Sequence, residues 1–205
     1  MPTLGLKPQE IKILSKLNTP SKIQNFLDKI PYNFERRGGT CKSPRRVLRE
    51  KNAHCFEGAL LAASALRLQG RLPLIVDLQA AAPDSCHVLA VFKNLGHWGA
   101  ISKTNHAVLR YREPVYRTIR ELVMSYFHEY FLDNGRKTLR SYAGPINLTR
   151  FDDLNWMTAE EDLWSLDEAL DQIPHKKVVL QDHIKNLRKA DPIEIKVGKL
   201  KVWRA

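Results

Sequence analysis

Apolar positions in this chain fall into two periodicities, helical at the start and short and dense in the middle. Ile23, Phe26, Leu27 and Ile30 form one helical stripe, opened by the Thr19-Pro20 start signal and stopped by Pro31. Ser43-Pro44 repeats that signal for a short basic helix ending near Glu50, and the paired glycines of residues 33–40 read as a loop between the two. Residues 55–69, CFEGALLAASALRLQ, carry apolar groups nearly all round the helical wheel, the pattern of a helix buried on most sides. Asn52 reads as its N-cap and Gly70 as its left-handed stop. Three short apolar runs follow, Leu72 to Leu78, Cys86 to Phe92 and Trp98 to Ile101, with links short enough for an antiparallel meander. Beyond them, Glu113-Pro114 reads as the start of a long amphipathic helix from Pro114 to Leu132, closed by Asn134-Gly135. Thr158 with Glu161 suggests a capping box for a helix bearing Leu163, Leu166 and Leu170. Val178 to Leu187 fits helix and strand equally, and Ile193 to Val202 alternates as a strand does. The expectation is one α+β domain over residues 1–205: N-terminal helices, a buried cysteine-bearing helix packed on a mainly antiparallel sheet, and C-terminal helices. Its core spans about residues 20–135, with 136–205 an extension packed on it.

Composition narrows the function classes. With 43% apolar residues among 205, the chain has enough for a packed core and too much for a disordered segment. No apolar run approaches the roughly 20 residues that span a bilayer, and MPTLGLKPQE lacks the layout of a secretory signal, so a cytoplasmic protein with no membrane partner is expected. Three cysteines, an odd count without paired spacing, suggest free thiols. The net charge of +11 attracts anionic partners, yet the basic residues are spread along the chain and no nucleic-acid-binding motif accompanies them. His54, Cys55, Cys86 and His87 show no Cys-x-x-Cys or His-x-x-x-His spacing, so no metal site is read and no cofactor is called for.

The chemistry lies in Cys55. A cysteine in the first turn of a helix meets unpaired backbone N–H groups and the positive end of the helix dipole, which favour the thiolate. Those N–H groups also suit an oxyanion. His87 opens an apolar strand after the polar turn at residues 83–85 and is the candidate base; a third group normally orients such an imidazole. Cys86, one residue away, is expected on the opposite face and in the core.

This order resembles the transglutaminase-like superfamily of the papain-related fold. The matching pieces are His54-Cys55-Phe56-Glu57-Gly58-Ala59, the helix exit from Leu66 to Pro73, Cys86 to Phe92, and Trp98-Gly99-Ala100-Ile101-Ser102. The resemblance covers about 50 residues, Cys55 to Asn105. It implies a Cys nucleophile, a His at a strand start and an orienting Asp four residues after the Trp. Here that place holds Ser102. Serine cannot stabilise an imidazolium as a carboxylate does. Asn105 is an alternative third group, as in papain-like enzymes; Asp84 or Asp77 is another, and absence of a third group is a further reading. Trp98 and Glu57 are the candidate substrate contacts. Cys55-Phe56-Glu57 also resembles the nucleophile motif of arylamine N-acetyltransferases, which Arg37 to Cys41 echoes without a following apolar helix, so Cys41 is set aside. The implied activity is acyl transfer or hydrolysis at a peptide or protein amide through a Cys55 thioester. The alternatives are an inactive scaffold of the same fold that holds a protein, and a basic nucleic-acid-binding module.

Overall fold

The computed structural model describes residues 4–202. Its elements run α1 (Pro8–Lys16), α2 (Pro20–Lys29), α3 (Pro44–Glu50), α4 (Cys55–Leu68), β1 (Leu74–Ala80), β2 (His87–Asn94), β3 (His97–Ile101), β4 (Arg112–Tyr116), α5 (Ile119–Phe127), β5 (Leu139–Asn147), α6 (Trp164–Asp171), β6 (Lys176–Lys177), α7 (Gln181–Ile184) and α8 (Pro192–Gly198). The six strands form one sheet in the order β4-β3-β2-β1-β5-β6, and every pairing is antiparallel. The architecture is therefore α+β, with helices on both faces of an antiparallel sheet. Among the described residues, no helix is long and apolar enough to cross a membrane.

Strand alternation explains the two layers. Ile75, Val88, Ala90, Phe92 and Ile101 meet Leu60, Leu61 and Leu66 of α4 on one face, together with residues of α1, α2, α3 and α6. Val76, Leu78, Leu89, Val91 and Ala100 meet Leu122, Val123 and Tyr126 of α5 on the other. The α4 helix is buried along almost its whole length; its fully enclosed leucines each contribute about 1.5–3 kcal/mol of burial.

Several expectations are corrected. The helix expected from Pro114 to Leu132 is a strand followed by a shorter helix. Pro114 sits in β4, at the edge of the sheet where its missing N–H costs no ladder bond. The helix start is Thr118, whose Oγ1 accepts from Glu121 N–H at 3.1 Å. The N-cap of α4 is His54, not Asn52, whose Oδ1 accepts from Lys42 Nζ instead. The helix expected to open at Thr158 opens at Trp164. Within the alternating segment 193–202, residues up to Gly198 are helical, because Asp191-Pro192 with Glu194 forms a capping box; Asp191 N–H reaches Glu194 Oε2 at 2.6 Å. The boundary expected near residue 135 is not the end of the core, since β5 pairs with β1 inside the sheet. Gly144 and Pro145 hide this strand in the sequence. Gly144 has φ +129°, and a Cβ there would lie 2.9 Å from the Ile75 carbonyl oxygen, so glycine is what lets the two strands pass.

Candidate functional site

Cys55 is the first residue of α4. The chain enters the helix along a pinned path: Ala53 N–H donates to Pro31 O at 3.2 Å and Asn33 N–H to Ala53 O at 3.1 Å. His54 N–H then donates to Glu57 Oε2 at 3.0 Å. The N–H groups of the first turn have no carbonyl one turn earlier, so the thiol stands where the helix offers free donors and partial positive charge.

His87 begins β2 and is buried. Its Nε2 lies 2.8 Å from Ser102 Oγ, and Ser102 Oγ also lies 2.6 Å from the carbonyl oxygen of Leu109. A carbonyl only accepts, so the serine proton goes to Leu109, and the serine lone pair accepts from His87 Nε2–H. This fixes the neutral tautomer. When the ring is neutral Nε2 carries the hydrogen, and Nδ1 is the nitrogen open to a proton. Ser102 is itself clamped: Gln24 of α2 accepts from Ser102 N–H at 2.9 Å and donates to Ser102 O at 2.8 Å. The close approach of this segment to α4 depends on Gly58, where a Cβ would lie 2.4 Å from Lys103 Cβ.

On the other side of the thiol stands His54. Its Nε2–H donates to Thr40 O at 3.0 Å and lies 3.4 Å from Glu57 Oε1. Glu57 is fully buried and charge-compensated by polar neighbours. It accepts from Thr40 Oγ1 at 2.7 Å and Lys42 N–H at 3.1 Å, with Lys42 Nζ 3.7 Å away. Burial pushes the Cys55 thiol up, but hydrogen bonds and electrostatic attraction from His54 and His87 outweigh it and bring the pKa down to about 5. Burial pushes His54 down, but the hydrogen bond to Cys55 and the charges of Glu57 and Cys55 raise it to about 9. Between those limits Cys55 and His54 form a thiolate–imidazolium pair.

The expected site residues divide sharply. Cys55, His87 and Ser102 come together as described. Asn105 does not reach this group; its carbonyl accepts from Val202 N–H at 2.7 Å, and it lines a neighbouring recess with Asp28 and Arg110. Asp77 is held by His175 at 3.0 Å, and Asp84 accepts from Thr138. Glu57 is enclosed beneath the helix head, where no substrate reaches it. Trp98 lies at the far end of β3 against Lys93, whose Nζ is 5.4 Å from its ring centroid, and it packs with the α5 cluster instead of the cleft. Cys86 is exposed, not core, because it precedes β2 at the open end of the sheet, where alternation no longer buries a side chain. Cys41 is buried, and its backbone pairs with Asp162 and Leu163. Sequence reading missed the roles of His54 and Gln24. For His54 the signal was its place at the N-cap immediately before Cys55; Gln24, remote in sequence, left none.

Cys55, His54 and His87 open onto a cavity of about 560 Å³ that Tyr32, Glu35, Asp84, His106 and Tyr130 also line. Among the described residues there is no group of three or more His, Cys, Asp or Glu side chains placed to hold a metal ion. In comparisons with known proteins, no family model matches the chain. No curated protein is significantly similar to it in sequence.

Proposed function

We propose that this protein is a cysteine-dependent acyl-transfer enzyme of transglutaminase-like, papain-related architecture, acting on a peptide or protein amide. The observation that carries the reading is Cys55 at the head of α4, lining one cavity with His54 and His87, with Nε2 of His87 held at 2.8 Å by Ser102. The thiolate attacks the amide carbonyl carbon, and the carbonyl π electrons move to oxygen, where first-turn N–H groups of α4 receive the oxyanion. Collapse reforms the carbonyl and breaks the C–N bond. The leaving nitrogen takes a proton from the imidazolium of the site and departs as an amine, leaving a thioester on Cys55. Neutral His87, with its Nδ1 lone pair, then takes a proton from water as the water attacks the thioester carbonyl. The C–S bond breaks, the acid is released and the thiolate returns, and the proton gained by His87 passes to the imidazole that gave its own to the amine. An amine in place of water gives transfer; water is always present, and hydrolysis is the main outcome we assign.

The test is acyl-enzyme trapping. The full chain is incubated with an activated ester and quenched in acid, and the adduct is mapped by mass spectrometry. We expect the acyl group on Cys55, lost in Cys55→Ala and strongly slowed in His87→Ala. Acylation spread over Cys86 and lysines, with Cys55 unmodified, overturns the reading.

A further inference from the structure

The cleft beside Cys55 is walled on one side by the chain's own C-terminal segment: Gly198, Lys199 and Lys201 line the same cavity as Cys55 and His87. Residues 200–202 of this segment are attached as a short strand. Ala107 N–H donates to Leu200 O at 3.0 Å, Val202 N–H donates to Asn105 O at 2.7 Å, and His106 pairs antiparallel with Lys201. His106 Nδ1–H adds a bond to Gly198 O at 3.1 Å. Little apolar burial accompanies these bonds, since Leu200 is 61% and Val202 45% exposed. Main-chain pairing of this kind does not depend on sequence, and any extended peptide can copy it.

Side-chain charge adds chemistry. Lys199 closes α8 in helical backbone geometry and Lys201 pairs with His106, and both lysines line the cavity. Acidic groups face them there: Glu35, Asp84 and Asp133 line the same space, and Lys199 Nζ lies 3.8 Å from Asp133 Oδ2.

We propose that residues 200–202 occupy, in cis, the edge on which an extended peptide substrate pairs with residues 105–107, and that this edge selects peptides with cationic side chains. The inference rests on the acyl-transfer reading for calling that peptide a substrate. The binding itself does not depend on it. The C-terminal strand and a peptide compete for one place, and displacement of the strand exposes the edge.

The experiment uses the full chain carrying Cys55→Ala, so that binding is read without turnover. The probe is a fluorescent, acetylated peptide with the sequence of residues 196–202, and polarisation reads its affinity. Val202→Pro removes the N–H that bonds Asn105 and weakens the cis strand. Loss of one such hydrogen bond is expected to tighten peptide binding about fivefold to tenfold. A peptide with glutamate in place of both lysines at 199 and 201 is expected to bind at least about tenfold more weakly than the lysine peptide, since like charges then face each other. Hydrogen exchange in the protein without the proline substitution is a second measurement: excess peptide must speed exchange of the Val202 amide. Peptide binding that ignores Val202→Pro, or a Val202 amide indifferent to peptide, overturns the proposal. Peptide binding as expected with no acyl-enzyme on Cys55 leaves this edge standing and removes the catalytic reading; an acyl-enzyme without peptide binding does the reverse.

Discussion

Lowering a thiol pKa has two opposed effects on its reactivity, and together they specify the pH at which the Cys55 assignment is decided. With a pKa of about 5, against about 8.5 for an ordinary cysteine, Cys55 is about nine-tenths thiolate at pH 6. An ordinary thiol is then ionised to about 0.3%, a difference of roughly 300-fold. Thiolate nucleophilicity falls with pKa along a slope of about 0.4–0.5, which over about 3.5 units costs roughly 25- to 55-fold. The net advantage is therefore about 40-fold at pH 5, about 8-fold at pH 6 and about none at pH 7. A single measurement at neutral pH would miss it. The assay is iodoacetamide alkylation from pH 4 to 9, with each cysteine followed separately by peptide mass spectrometry. Cys86 serves as an internal reference, because its residue is exposed and its pKa is shifted in the opposite direction, upward. The sign is fixed by the direction of the shift: a depressed thiol pKa means reactivity present above about 5 and lost as pH falls through that value. His54→Ala removes the largest single cause that lowers the thiol pKa, together with the His54 charge, so the midpoint moves upward. A Cys55 profile that tracks Cys86 would refute the thiolate–imidazolium pair.

Three further outcomes follow from the same geometry. Ser102→Ala leaves the buried His87 Nε2–H and the Leu109 carbonyl without their partner; acyl-enzyme formation is expected to slow by an order of magnitude, with about 1–3 kcal/mol lost from urea unfolding. Gly58→Ala drives a methyl to 2.4 Å from Lys103 Cβ, and a melting measurement should show a loss of about 1–3 kcal/mol from overpacking. An unchanged melting temperature would show that the Lys103 segment yields freely. Glu57→Gln removes one of the two carboxylates near Lys42, leaving Glu50 at 3.5 Å; about 1–3 kcal/mol of stability is expected to go with the weakened buried hydrogen bonds, together with an upward shift of the Cys55 alkylation midpoint as His54 loses its carboxylate.

The parts of this fold legible in the sequence are those where local pattern and tertiary role agree. The α4 helix announces itself because its burial is nearly complete, and His87 because an apolar strand begins there. Where a residue has two uses, the pattern misleads. Pro114 is a helix-start residue and an edge-strand residue alike, and only the position of β4 in the sheet decides. Asp191-Pro192-Ile193-Glu194 is a capping box laid over an alternating run, and the box wins because those side chains stay exposed with no sheet face to bury them. Glu57 was read as a substrate contact because the sequence shows a charge near a nucleophile. It does not show that residues 33, 40, 42 and 54 all turn their donors toward that charge. Gln24 escapes altogether, since its two hydrogen bonds to Ser102 span 78 residues.

Ser102, which looks like a deficiency beside an orienting aspartate, suits its surroundings here. Two groups converge on its side chain with opposite needs: His87 Nε2–H requires an acceptor, and the Leu109 carbonyl oxygen at 2.6 Å requires a donor. A hydroxyl meets both at once. A carboxylate meets the first and repels the second, in a place so enclosed that water cannot intervene, Ser102 being 1% exposed. What serine cannot supply is negative charge to hold an imidazolium. In this structure that charge is on the opposite side of the nucleophile, where Glu57 lies 3.4 Å from His54 Nε2. The two duties of an orienting carboxylate are thus separated. Ser102 sets the tautomer of His87, and Glu57 stabilises the cation on His54.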